Sequence, residues 1–355
     1  MWASALEVDT ADCLNCAAGD VKPKGARWDD ESLKRYKKSL LFGHQRAEDG
    51  LRVAIIGPGT IGASLALVCA LYGHATKLHG RKGYSFDRAR ALIASGFEEL
   101  LGAGLLPEGH KDWRQHLIVS DDEVEPETDL VIETVNEDLA LKQMVFAQLE
   151  RCLHEGAILA SSTSALPVDA IGVNCVNRTR IAVAHFANPP HLMPTVELVP
   201  GTVTSKDTMQ VLSDFIESLG KTPVRLERDL PGHLFNRIQF AMLREAVSLV
   251  AMGVATPEQV DSVVKNGIAL RLAEEGPLEK IDLAGVELVH SVASFLYPHL
   301  DRSTTPDFLE HLLRMGRSGA ASGEGFYQWT PNKVRGALDR RNSEIIRHLK
   351  RRRGP

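Results

Sequence analysis

The chain has 355 residues, 44% hydrophobic and 25% charged, with 41 Lys and Arg against 46 Asp and Glu for a formal net charge of -5. That composition describes a globular protein of two domains, or of one large domain with extensions. The acidic balance gives no general attraction to nucleic acid or to an anionic membrane, no apolar run reaches the ~18 residues that would span a bilayer, and the N-terminus lacks the cationic-then-apolar pattern of a secretory signal.

Residues 1–49 alternate Asp, Glu, Lys and Gly with few aliphatics. They read as an N-terminal extension with at best one short helix around "DDESLKRYKKSL". Cys13 and Cys16 form a lone CxxC without a second pair, so no metal site is expected. The odd count of five cysteines fits a reducing compartment, and a cytoplasmic location is expected.

From Leu51 to about Glu227, apolar β-rich runs alternate with helical stretches. The strand candidates are "RVAIIG", "ATKLH", "LIV", "DLVIETV", "AILASS", "RIAVAHF", "TVELV" and "PVRLE"; the helices fall near 61–73, 85–103, 138–153 and 205–219. Near-continuous apolar strands alternating with helices indicate a mostly parallel, doubly wound α/β sheet of the Rossmann type, assigned to residues 50–231. After Pro231 the strand signals stop. "HLFNRIQFAMLREAVSLVAMG", "TPEQVDSVVKNG" with Thr256 as N-cap and Pro257 at the first position, "PLEKIDLAGVELVHSVASFLY" and "TPDFLEHLLRMG" make an all-helical domain over 232–330. Residues 331–355 end in "RRNSEIIRHLKRRRGP", a basic helix that is either solvated or a packing arm.

Gly57, Gly59 and Gly62 match G-x-G-x-x-G between an apolar strand and an apolar helix. In that context the glycines allow a tight turn, close approach of a pyrophosphate and close helix–strand packing, with the amides at Thr60 and Ile61 opening the helix. An acid about 20 residues on would bind the ribose 2′-hydroxyl of NAD. Here the second strand closes on Lys77, Leu78, His79 and Gly80, followed by Arg81 and Lys82. Gly80 removes the repulsion an acid would exert on a 2′-phosphate, and the two cations favour one. NADP(H) is therefore the favoured cofactor; NAD(H), beside two surface cations, is the alternative.

"VAHFANPPHLMPTVELVP" places His185 at the end of one strand and Glu197 in the next, with a proline turn between them. Folding back would bring the two together, and a carboxylate against imidazole fixes its tautomer and raises its basicity. Such a pair can take a hydroxyl proton while hydride leaves the same carbon. Spacing alone, however, favours a structural histidine.

The chain resembles the 3-hydroxyacyl-CoA dehydrogenase family over roughly residues 51–330, through "VAIIGPGTIG", "DLVIETVNEDLALKQMVF", "SSTSAL", "AHFANPP…VELV", "PGHLFNR", "GPLEKIDLAG" and "SGEGFYQW" in order. The resemblance implies that His185 is the catalytic base and Glu197 its partner, that Ser164 and Asn236 orient the substrate oxygen, and that Glu137 and Lys142 line the nicotinamide side of the cleft. Ser162 stands where the family often has Asn before Thr-Ser, which alters one cofactor contact; the missing second-strand acid departs from the family's usual NAD preference. "NGIALRLAEEGPLEKIDLAG" is similar to the lambda-crystallin, L-gulonate dehydrogenase and carnitine dehydrogenase branch, where Arg271 would hold a polar or carboxylate end of a small substrate. "SGEGFYQW" leans toward the acyl-CoA branch.

The implied reaction is reversible hydride transfer between nicotinamide and a 3-hydroxy or 3-keto acid or thioester. A ketone or imine reductase of secondary metabolism is the rival enzyme, and a non-catalytic nucleotide-binding protein of the crystallin kind the rival from another class. The resemblance also implies a homodimer joined through the helical domain.

Overall fold

The computed structural model describes residues 50–110 and 112–353; the expectations for residues 1–49, the Cys13 and Cys16 pair included, lie outside the described residues. Each apolar run of the first part becomes a strand because parallel strands covered by helices lose water on both faces. In chain order the elements are β1 (Arg52–Ile56), α1 (Thr60–Leu71), β2 (Ala75–His79), α2 (Asp87–Ala103), β3 (Leu117–Ser120), β4 (Leu130–Glu133), α3 (Leu139–Cys152), β5 (Ile158–Ser161), α4 (Val168–Ile171), β6 (Ile181–Phe186), β7 (Thr195–Pro200), α5 (Lys206–Ser218) and β8 (Thr222–Arg225).

The eight strands form one sheet in the order β3-β2-β1-β4-β5-β6-β7-β8. It is parallel throughout except where β6 meets β7 antiparallel. The strand order reverses between β1 and β4, so the crevice beyond their carboxyl ends is where this architecture takes a ligand. Two buried clusters flank the sheet, one built on α1, α2 and α5, the other on α3 and α4. The doubly wound class expected from the sequence is what the chain adopts.

The remainder is helical: α6 (Phe235–Ala251), α7 (Pro257–Val263), α8 (Ala269–Leu272), α9 (Pro277–Ala284), α10 (Val286–Leu296), α11 (Asp307–Arg314) and α12 (Pro331–Arg353). Thr256 caps α7 as its sequence suggests, accepting from the Gln259 amide while the Gln259 side chain takes the Thr256 amide. The run "PLEKIDLAGVELVHSVASFLY" is two helices rather than one, because Gly285 turns to φ 89° between them. The basic terminal helix is a packing arm: Ile345, Ile346 and Leu349 lie against the core of the sheet domain. No helix among the described residues is long and apolar enough to cross a membrane.

Candidate active site

The glycine turn is built for close approach. Gly57 has φ 115° and its amide reaches the His79 carbonyl at 3.0 Å. A Cβ on Gly57 would lie 2.8 Å from the Thr134 carbonyl, and one on Gly62 would lie 2.0 Å from the Gly57 oxygen. Gly59 faces open space instead, with nothing within 4 Å of where its Cβ would be. Thr60 and Ile61 open α1, where first-turn amides have no intrahelical acceptor. Just beyond the end of β5, the Ser162 hydroxyl is buried with no hydrogen-bond partner among the described residues. Open backbone, free helix-start amides and an orphaned hydroxyl together fit a dinucleotide.

At the end of β2, the Phe86 ring occupies the space where a second-strand acid would project: a Cβ on Gly80 would lie 2.7 Å from it and 3.3 Å from Pro58. Arg81 and Lys82 are exposed and take part in no ion pair among the described residues. Lys77, by contrast, is engaged by Glu125 at 2.6 Å.

The antiparallel pairing of β6 and β7 puts His185 directly opposite Glu197. His185 Nδ1 and Glu197 Oε2 are 2.7 Å apart, both side chains nearly buried. Glu197 Oε1 accepts the amides of Leu234 and Phe235, each at 2.8 Å, at the start of α6. Burial alone would raise this carboxyl, but the hydrogen bonds from His185 and from the two amides outweigh it and hold Glu197 below the ordinary carboxylate range. The helix start and the imidazole thus keep the carboxylate charged.

The amides reach Glu197 because the preceding residue, His233, takes φ 51°, a left-handed conformation rare outside glycine. His233 is fully buried, its ring 5.7 Å from that of His185 and its Nδ1 3.9 Å from Asp229 Oδ1. Burial, then the neighbouring His185, lowers its proton affinity. Sequence reasoning passed over it, although a histidine between Gly232 and a helix start was visible in "PGHLFNR".

A second network joins the other predicted residues. The Asn236 amide donates to the Ser164 carbonyl at 2.8 Å, and the Ser164 amide donates to Glu137 Oε1 at 3.0 Å. The Ser164 residue is exposed. Lys142 lies 3.4 Å from Glu137 but is committed to Glu133, at 2.8 Å and almost wholly buried. Burial would raise Glu137, yet the Thr163 hydroxyl and the Lys142 charge more than offset it. Glu133 itself, missed from the sequence, also accepts from Ser161 and the Val135 amide, so every charge is answered. Lys142 therefore stands behind Glu137, supporting it. Arg271 stands apart, exposed on α8, with no ion pair among the described residues. Among the described residues no group of three or more His, Cys, Asp or Glu is arranged to hold a metal.

The family model for the 3-hydroxyacyl-CoA dehydrogenase NAD binding domain covers residues 52–230, and that for the C-terminal domain covers 232–329. The chain is 32% identical to 5-formyl-3-hydroxy-2-methylpyridine 4-carboxylate 5-dehydrogenase of Mesorhizobium japonicum over 83% of its own length and 96% of that protein. It is 31% identical to L-carnitine dehydrogenase of Streptomyces griseus, over 82% and 89%, and 31% identical to a probable 3-hydroxybutyryl-CoA dehydrogenase of Deinococcus radiodurans, over 79% and 100%. The crystal structure of a 5-formyl-3-hydroxy-2-methylpyridine 4-carboxylic acid 5-dehydrogenase superposes with a TM-score of 0.80 over 86% of this chain and 99% of that one, at 30% identity. On sequence and fold alike, the chain belongs to the 3-hydroxyacyl-CoA dehydrogenase family and is an oxidoreductase with a nicotinamide-binding domain that acts on CH–OH groups.

Proposed function

We propose that the protein interconverts a secondary 3-hydroxy group and its ketone, with His185 as the base. The single observation that carries this reading is the 2.7 Å contact between His185 and a Glu197 whose other oxygen is capped by two backbone amides. In oxidation, His185 Nε2 takes the hydroxyl proton; Glu197 stabilises the imidazolium without taking the proton itself. In reduction the same nitrogen returns it. A bound nicotinamide supplies or accepts the hydride. The exposed Ser164 side chain and Asn236, tethered to the Ser164 backbone, orient the substrate oxygen. Glu137 and Lys142 hold the loop on the nicotinamide side, and Ser162 completes the cofactor contacts.

The cofactor is NADP(H). The Phe86 ring stands in place of a 2′-hydroxyl-binding acid, and Arg81 and Lys82, next in the chain after Gly80, are exposed and form no ion pair among the described residues. The substrate is a small hydroxy or keto acid. Names of two relatives, L-carnitine dehydrogenase and a pyridine carboxylate dehydrogenase, denote substrates with a free carboxylate, and the resemblance gives Arg271, exposed on α8, as the bidentate partner for one. The working unit is a homodimer, since the helical domain exposes apolar side chains along α6 and α8 to α10.

Steady-state kinetics with both cofactors on acetoacetyl-CoA, gulonate and carnitine test the reading. Turnover with kcat/KM favouring NADP(H) is expected. A ratio favouring NAD(H) would overturn the cofactor assignment. Cofactor binding without turnover on a broad panel would instead indicate a scaffold of the crystallin kind.

A further inference from the structure

The family models end at Trp329, and the helix that follows, α12, is accounted for by neither. Its residues Asn342, Ile345, Ile346 and Leu349 fall on one face by helical spacing. The last three pack on the sheet domain's core, while the Asn342 side-chain amide donates to Glu99 Oε1 on α2 at 2.8 Å. The other oxygen of Glu99 meets His191 Nε2 at 2.7 Å. His191 sits in the loop of residues 187–194, which joins the strand of His185 to the strand of Glu197.

The Glu99 carboxylate can only accept, so His191 Nε2 carries the proton shared with it. In the neutral ring Nδ1 then accepts the Ser64 hydroxyl hydrogen at 2.8 Å, while Ser64 Oγ accepts the His191 backbone amide at 3.1 Å. Ser64 lies on α1, one turn along from the amides at Thr60 and Ile61. The opposite side of the same loop is held by Lys221, whose ammonium donates to the carbonyls of Pro190 and Met193 at 2.6 and 2.8 Å.

We propose that Asn342, Glu99 and His191 are positioning residues, through which the C-terminal helix fixes the loop between the strands of His185 and Glu197 against the cofactor helix α1. The proposal rests on the dehydrogenase reading for its kinetic consequence. Hydride transfer needs the hydroxyl carbon, the base and the nicotinamide in register, and displacement of about 1 Å is enough to slow it substantially. The three residues contact one another and Ser64, and none bonds to His185 or Glu197. Their effect runs through the distance between a loop and a helix.

The test uses the full chain with Asn342→Ala, Asn342→Asp, His191→Gln and the double variant Asn342→Ala/His191→Gln. Asn342→Ala should lower kcat about threefold to tenfold, leaving cofactor Kd and Tm near the wild-type values, because contacting residues couple on that scale. Asn342→Asp should lower it further by setting a second carboxylate against Glu99. The double variant should be no worse than His191→Gln alone. Amide exchange across residues 187–194 should quicken in each variant. Wild-type kcat in Asn342→Ala, or losses that simply add in the double variant, would overturn the proposal. Should the wild type turn over no substrate of the panel, the dehydrogenase reading fails by itself. The exchange rates then decide the positioning chain, and unchanged protection of 187–194 in Asn342→Ala refutes it.

Discussion

The two halves of this chain solve the hydrophobic problem differently. Around the sheet, Ile55, Leu65, Leu67, Leu78, Ile132 and Phe215 are fully shielded by their own domain. In the helical half, α6 to α10 bury no side chain, and Leu283, Phe295 and Leu278 remain 75–77% exposed. Apolar area on this scale is far more than isolated surface residues explain. The first half, with α12 laid against it, closes a core; the second presents half of one. A second copy of the helical half is the proposed cover for that face.

Several substitutions would break or sharpen that contrast. The largest effect is expected from His185→Gln, which should leave cofactor affinity intact while lowering kcat by ~10²–10⁴, the usual contribution of a general base. A loss under tenfold would remove His185 from the mechanism. Next comes Lys142→Met, which strands Glu133 without its counter-ion inside the self-sufficient half. Breaking a buried pair in this way costs about 3–5 kcal/mol. Denaturant titration should show that loss at every protein concentration; a concentration-dependent loss would contradict the contrast.

The third concerns pH. Burial, with a smaller contribution from the nearby His116, pushes the His74 imidazole down to about 4. The unfolded chain therefore takes up a proton near pH 6.5 that the folded chain refuses. Stability is fully present above that value and is lost as pH falls toward 4, by about 3 kcal/mol in all. His74→Gln should flatten this slope between pH 6.5 and 4; an unaltered slope would assign the acid sensitivity elsewhere. The smallest effect is expected from Phe295→Asp in the helical half. Its cost should be about 2 kcal/mol per ring no longer buried, and it should appear as weakened association in sedimentation and as activity lost on dilution. Activity independent of dilution in this variant would mean that the exposed face is not joined to a second copy.

The strands were legible because burial on both faces leaves an unbroken apolar run, and "DLVIETV" or "RIAVAHF" has few other uses in a soluble domain. The glycine turn was legible for the same reason that it works: at Gly57 and Gly62 only glycine fits the backbone approach. His185 and Glu197 were less so. Their spacing is ambiguous until the proline turn is known to pair the strands antiparallel, and the family resemblance, not the spacing, singled them out. What stayed hidden was whatever depends on distant partners. Glu133 reads as the tail of a strand until Lys142 is seen folded back over it. Asn342 and Glu99 lie far apart in the chain and carry no local pattern. Phe86 likewise looks like any residue ahead of a helix, and only the fold lays its ring over Gly80.

That last packing has an engineering consequence. Coenzyme choice in such proteins is commonly thought of as one acidic position to add or remove. Here the position is crowded: a Cβ at 80 would lie 2.7 Å from the tip of the Phe86 ring, so the ring must turn aside before an acid can be seated there. An acid placed at 80 therefore acts on two side chains at once. Pairing it with a small residue at 86 separates the charge from the displaced ring.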